Sequence, residues 1–379
     1  MSAFIPVNEP LLDGNERAYL AQCIDTGWVS SEGPFVTRLE EGMAALTGRA
    51  HAVAVTNGSE ALELAVDVLG IGPGDEVIIP TFTIISCAAP IVRRGATPVV
   101  VDADSLTWNM DVSAVEALIT PRTRAVMAVH IYGLPVDMDP LLDVAARHGI
   151  AVIEDAAEAH GQTYGGRPCG SFGEVSAFSF YPNKHVTTGE GGMLLADDDA
   201  LAERARSKRN LGFMPERRFV HEELGYNMRM SNLQAAVGVA QLERLPEFIA
   251  RKRAMGARYT ELLGGTPGLQ LPTAETPYAR NDYWVYGLVL DDDVPADARE
   301  VMRCLGERGI GTRPFFYPMH LQPVFLERGL FEGVSCPVAE RLGERGFYIP
   351  SGLALTGEQI ERSAAAVRSS SPLTAARSS

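Results

Sequence analysis

A lysine stands between an apolar run and a glycine-rich turn in Ser176-Ala-Phe-Ser-Phe-Tyr-Pro-Asn-Lys184-His-Val-Thr-Thr-Gly-Glu-Gly-Gly192. Twenty-nine residues upstream, Val152-Ile-Glu-Asp155-Ala-Ala-Glu158 closes another apolar run with carboxylates. An amine at one strand end and an acid at the end of a neighbouring strand suit pyridoxal phosphate. Such a lysine forms a Schiff base with the cofactor aldehyde, and such an acid pairs with the pyridine nitrogen. Strand alternation lets only one of Glu154 and Asp155 face a site. Asp155 is the expected partner, because a carboxylate beside the ring nitrogen keeps it protonated. Glu158 joins the same face if a helical turn follows, within reach of the ring hydroxyl; a solvated glutamate is the competing reading.

Two further segments could hold a phosphate. Thr56-Asn57-Gly58-Ser59-Glu60-Ala61-Leu62 follows a short apolar run and opens a helical pattern. Gly58 allows close backbone approach, and free N–H groups at Ser59 and Glu60 would point at an anion, favoured by the helix dipole. A plain helix cap is the default for Asn-Gly-Ser taken alone; the company of Lys184 favours the phosphate cup. Ser179 lies in an apolar strand, where its hydroxyl needs a partner, either backbone or phosphate.

These residues need a frame, and the chain supplies one. From about residue 50 to 196, short apolar runs alternate with amphipathic segments: 52–55, 76–79, 98–101, 125–129, 151–153, 176–180 and 193–195. Between them lie helical patterns such as 59–69, 112–119 and 140–148. Strands alternating with helices, without tight hairpins, predict a mostly parallel sheet covered on both faces. Ligands gather at the carboxyl ends of such strands, where Asp155 and Lys184 fall. Further on, 201–209, 231–245 and 248–263 read as helices, 283–290 as a strand, 295–308 as a helix and 310–318 as an extended piece. The expected division is a large domain over 1–245, a smaller C-terminal α+β domain over 246–368, and a disordered tail over 369–379. Residues 1–12 are expected to pack near the small domain.

Composition narrows the function classes. The 379 residues carry 33 basic and 48 acidic side chains, a net charge of −15, which argues against a nucleic-acid-binding face. Arg217-Arg218 is a local exception that could meet a diphosphate. Five scattered cysteines without a C-x-x-C pair read as reduced thiols of a cytoplasmic enzyme. The seven histidines show no metal-binding spacing, so no metal is expected. Neither a signal peptide nor a membrane-spanning run is readable.

The order of these motifs resembles the sugar aminotransferases of the DegT/DnrJ/EryC1/StrS family, from about Pro10 to Val367. The likeness includes Thr56-Asn-Gly-Ser-Glu-Ala-Leu, Pro80-Thr-Phe-Thr, Gly95-Ala-Thr-Pro-Val, Ile153-Glu-Asp-Ala-Ala-Glu and the Lys184 segment. It continues through Gly225-Tyr-Asn-Met-Arg-Met-Ser-Asn-Leu-Gln and Thr312-Arg-Pro-Phe-Phe-Tyr-Pro-Met-His. The resemblance implies an aspartate-aminotransferase-like α/β fold (fold type I) and pyridoxal 5'-phosphate, with pyridoxamine 5'-phosphate as its other form. It implies that Lys184 and Asp155 are catalytic, that Glu158 lies near the ring hydroxyl, and that Gly58, Ser59 and Ser179 hold the phosphate. Asn227 would reach that phosphate from the other subunit of a homodimer. Ile84 departs from the pattern, standing where many relatives stack an aromatic on the ring. Arg313, Tyr317 and His320 become candidate sugar-nucleotide contacts, against the plain reading of a proline-shaped loop.

Within the family, the Lys184, Gly225–Gln234 and Arg313–His320 segments are most similar to enzymes that aminate the 4-keto carbon of GDP-4-keto-6-deoxymannose with glutamate as donor. Amination at the 3-position and a dTDP-linked keto sugar remain alternatives. A sugar dehydratase ranks lower, because related dehydratases place histidine where Lys184 stands. A non-catalytic pyridoxal-phosphate-binding regulator ranks lower too, given Lys184, Asp155 and a phosphate cup together.

Overall fold

The computed structural model describes residues 3–214, 217, 219–370 and 373. Seven strands form the main sheet: β1 (His51–Val55), β2 (Glu76–Pro80), β3 (Thr97–Val101), β4 (Thr123–Val129), β5 (Ala151–Asp155), β6 (Val175–Ser179) and β7 (Gly192–Ala196). They lie in the order β1-β7-β6-β5-β4-β2-β3. Every pairing is parallel except those of β7, which runs antiparallel to both β1 and β6. Both faces are covered, which is why β2 and β7 are buried along their whole length and read as unbroken apolar runs.

Helices α1 (Glu16–Thr26) and α2 (Pro34–Thr47) cover one face with Phe35, Leu39 and Met43 against Ala54, Met193 and Leu195. Helix α3 (Gly58–Val68) covers the other, through Leu62, Leu64 and Ala65 against Val53 and Val55. Helix α4 (Met138–His148) packs Met138, Leu141 and Val144 on Ile78, Val126 and Val152, and Gly149 ends it at φ 63°, a left-handed cap open to glycine. Helix α5 (Asp199–Arg209) starts on an Asp198 cap, and α6 (Asn232–Leu242) starts on a capping box of Ser231 and Gln234.

The two helices expected over 231–245 and 248–263 are present, with the break between them about three residues earlier. The first stops at Leu242, and α7 (Leu245–Leu263) restarts with Pro246 in its first turn, where a missing N–H costs nothing. The pattern at 112–119 is one α-turn followed by a 3₁₀ turn.

A second sheet of four antiparallel strands follows, ordered β8 (Leu269–Gln270), β9 (Tyr286–Leu290), β11 (Gly346–Ile349) and β10 (Arg313–Pro314). The strand expected from 283 begins only at Tyr286, because Asn281 Oδ1 accepts the Tyr283 N–H at 2.7 Å and holds that tyrosine at φ 49°. Its core gathers Tyr259, Leu263, Leu288, Val301, Phe347 and Val367. Ile5 bridges Ile310 beside this sheet and is buried in the same core. Of the tail, Leu373 is buried there and Ser369 caps α8 (Gly357–Arg368); its remaining residues, apart from Ser370, lie outside the described ones, as does Arg218. No described helix is long and apolar enough to cross a membrane.

Candidate active site

The carboxyl ends of β2, β5 and β6 and the amino end of α3 surround one cavity of about 630 Å³. Gly58, Ser59, Ile84, Asp155, Glu158, Ser179, Lys184 and Arg313 all line it. That volume suits a small cofactor with part of a substrate.

Strand alternation separates the two acids at the end of β5. Glu154 points into the core, where its oxygens accept N–H groups of Gly170 at 2.6 Å and Phe172 at 2.8 Å and meet His130 Nε2 at 2.8 Å. Cys169 lies close to this pair. Val136 N–H donates to His130 Nδ1 at 3.1 Å, so the ring proton sits on Nε2 and is donated to Glu154. Both His130 ring nitrogens are thus engaged in hydrogen bonds. Asp155 faces the cavity instead. Its Oδ1 accepts Ala157 N–H at 3.0 Å and its Oδ2 lies 3.3 Å from Cys87 Sγ. Burial raises its carboxyl above the usual range, opposed by these hydrogen bonds and by Lys184.

One turn on, Glu158 accepts Tyr132 N–H at 2.8 Å and Lys184 Nζ at 3.3 Å. Burial pushes its carboxyl up to about 7, with Lys184 and the Tyr132 amide pulling the other way. Tyr132 holds φ 57°, a strained conformation for a bulky residue and one found mostly where a site demands it. Lys184 Nζ also lies 3.6 Å from the centre of the Trp284 ring, a cation–π contact. The indole N–H of Trp284 donates to Asn183 O at 2.7 Å, and its carbonyl accepts Lys252 Nζ at 2.8 Å. One aromatic side chain thus holds both the lysine head and the backbone just before it.

At the other end, Gly58 packs against Ser179 so closely that a Cβ would fall 2.5 Å from Ser179 Cβ. Only glycine permits this approach of α3 to β6. Ser59 Oγ lies 2.7 Å from Ser86 Oγ. First-turn N–H groups of α3 have no intrahelical acceptor. An acid, a lysine and a helix-start cradle with hydroxyls thus line the same space. Pyridoxal phosphate, with a basic ring nitrogen, an aldehyde and a phosphate, fits this donor set.

Four predicted contacts do not line the cavity. The Glu60 N–H is not free, because Asn57 Oδ1 accepts it at 2.9 Å as the cap of α3. The Glu60 carboxyl is turned away and raised by burial and by Glu63. His320 is buried, and both ring nitrogens are used: Nδ1 meets Thr81 Oγ1 at 2.7 Å and Nε2 meets Glu340 at 3.0 Å. It anchors the 313–320 segment and offers nothing to a ligand. Tyr317 is half exposed outside the cavity, while its neighbour Phe316 lines it. Asn227 is exposed, and its Oδ1 accepts from Arg229 at 2.8 Å.

Thr83, Ser86, Tyr181, Trp284, Phe316 and Tyr348 line the cavity without having been singled out from the sequence. Thr83 and Ser86 follow β2, so the strand-end logic applied to Asp155 could have found them. Trp284 and Tyr348 come from the second sheet region, and no local pattern marks them.

The DegT/DnrJ/EryC1/StrS aminotransferase family profile matches residues 10–368. GDP-perosamine synthase of Caulobacter vibrioides is 44% identical over 363 residues, 96% of this chain and 97% of that protein. Among solved structures, S. venezuelae DesV in complex with a ketimine intermediate superposes with a TM-score of 0.90 at 37% identity, covering 97% of this chain and 98% of that one. DesI in the presence of its TDP-sugar product superposes at 0.88 with 33% identity, covering 100% of this chain and 97% of that one.

Proposed function

The chain belongs to the DegT/DnrJ/EryC1/StrS aminotransferase family and is a pyridoxal-phosphate-dependent aminotransferase, and from that premise we propose that it moves the amino group of L-glutamate onto a nucleotide-linked keto sugar, converting GDP-4-keto-6-deoxy-D-mannose to GDP-perosamine. The observation that carries the reaction type is the convergence of Lys184, Asp155 and the α3 start on one cavity. The choice of sugar rests on 44% identity to a GDP-perosamine synthase along nearly the whole of both chains.

When bound, the cofactor supplies an electron sink for the carbanion formed at the substrate carbon. Lys184 Nζ is the covalent anchor, and it carries the proton to and from that carbon. Glu158, at 3.3 Å, is the group that can hold or return a proton at Nζ, since burial brings its carboxyl to about 7. Asp155, charged and fixed by the Ala157 amide, keeps a proton on the pyridine nitrogen. Gly58, Ser59 and Ser179 receive the phosphate at the start of α3. Ile84 and Arg313 line the same cavity, where Ile84 would pack against the bound cofactor and Arg313 would offer a guanidinium to the nucleotide diphosphate. Asn227 serves the site of a second copy, so that a homodimer is the working unit.

Incubating the purified protein with L-glutamate and a panel of GDP- and TDP-linked keto sugars tests this directly. Mass spectrometry should find 2-oxoglutarate and an aminated GDP sugar in equal amounts, with NMR placing nitrogen on C4. The similarity to DesI makes a TDP sugar the second candidate. Amination of a TDP sugar, with GDP-4-keto-6-deoxymannose left untouched, would replace the proposal with that reading.

A further inference from the structure

The segment after β2 carries a thiol and two hydroxyls that reach both ends of the site. Ser86 Oγ lies 2.7 Å from Ser59 Oγ, while Cys87 Sγ lies 3.1 Å from Thr83 Oγ1 and 3.3 Å from Asp155 Oδ2. Cys87 is wholly buried, which closes it to solution reagents and leaves hydrogen bonding as its available chemistry. An ionised carboxylate has only acceptor sites, so in the contact with Asp155 the thiol donates. With its one proton committed, Sγ can only accept from the Thr83 hydroxyl. The chain therefore runs one way: Thr83 O–H to Cys87 Sγ, then Cys87 S–H to Asp155 Oδ2. Each bond polarises the next. The other carboxylate oxygen is held by Ala157 N–H at 3.0 Å. A backbone amide grips Oδ1, and the softer thiol grips Oδ2.

We propose that Cys87 is a positioning residue for the transamination: its thiol, aligned by Thr83, fixes the orientation and charge distribution of the Asp155 carboxylate. This rests on the reading of Asp155 as the partner of the pyridine nitrogen. Lys184 after β6, Glu158 after β5 and His130 after β4 also act on Asp155 electrostatically. A substitution at position 87 leaves all three in place, so its effect isolates the thiol. Alanine there removes the donor and makes Asp155 more basic. Serine supplies a stronger donor of similar shape and makes it less basic.

The test uses the holoenzyme in two arms. In the infrared, the S–H stretching band that C87A removes belongs to Cys87, and D155N should move that band toward the position of a free thiol. In single-turnover reactions with L-glutamate, followed by loss of the visible cofactor band, the acid limb of the pH profile should rank C87S below the parent and C87A above it. Each step should be about half a pH unit, the scale of a weak thiol donor's bond to a carboxylate. T83V should move the limb in the C87A direction, by less. A Cys87 band indifferent to D155N would overturn the proposal, and so would a C87A limb that coincides with the parent's. Should the parent itself fail to react with glutamate, the proposed reaction falls, while the infrared arm still decides the Cys87–Asp155 bond.

Discussion

Asp155 and Glu154 are adjacent acids with opposite duties, and the difference is one of environment. Glu154 is tied to two backbone amides and a histidine, whereas Asp155 keeps an oxygen toward the cavity. D155N should preserve the circular dichroism spectrum, since the two side chains have the same shape. It should lower single-turnover transamination by on the order of a hundredfold or more, the scale of losing one preorganised charge partner. Activity within a few-fold of the parent would mean that another carboxylate faces the ring nitrogen. A second residue-scale prediction concerns His160, which is fully buried among Phe178, Phe180 and His185. Burial lowers its pKa from 6.5 to about 3, with Lys184 adding to the effect. Below about pH 6.5 the unfolded chain therefore binds a proton that the folded chain refuses, and stability falls as pH drops from 6.5 toward 3. His160 alone should cost about 2 kcal/mol between pH 7 and pH 5. H160F should flatten that part of the thermal-midpoint profile; an unchanged slope would show that His160 does not titrate this way.

The phosphate end of the cavity depends on how closely one helix meets one strand. Gly58 puts α3 against Ser179 with no room for a methyl group, so G58A must push α3 off the end of β6. Cofactor affinity should weaken about tenfold or more, consistent with about 1–3 kcal/mol for overpacking a tight contact. Equilibrium dialysis of the cofactor measures it, and parent-like affinity would show that the cradle is not set by that approach. The strands of the main sheet were legible in the sequence because burial on both faces makes most of each an apolar run, as β2 and β7 show along their whole length. Lys184 and Asp155 were legible for a related reason: polar groups at the ends of such runs have few places to go. The rest was hidden by distance along the chain. His320 looks like a ligand contact until Thr81 and Glu340 arrive from elsewhere to claim its nitrogens. Trp284 sits in a stretch read as plain strand, and only the folded chain lays its ring against Lys184. The break between α6 and α7 was expected a few residues late, because Pro246 opens α7 rather than lying between the two helices.

Taken whole, one copy of the chain presents Asn227 at its surface rather than in its own cavity. If that side chain serves a neighbour, each site draws Lys184 from one subunit and Asn227 from the other. Mixing K184A with N227A then restores activity, because one site of every mixed dimer escapes both substitutions. Random exchange should return about a quarter of the native sites. No recovery after demonstrated exchange, with both parents impaired, would sink the shared site, as would a fully active monomer in sedimentation. The sheet order has its own consequence for how the protein comes into being on the ribosome. β1, which leads into α3 and the phosphate cradle, lies at the edge of the main sheet with β7 as its neighbouring strand, His51 opposite Ala196. At about 5–20 residues per second, the early strand waits on the order of ten seconds or more for its partner to be made. During that interval the N-terminal part of a nascent chain has no closed cradle. Newly made protein therefore becomes able to capture its cofactor late, after more than half its length has been translated.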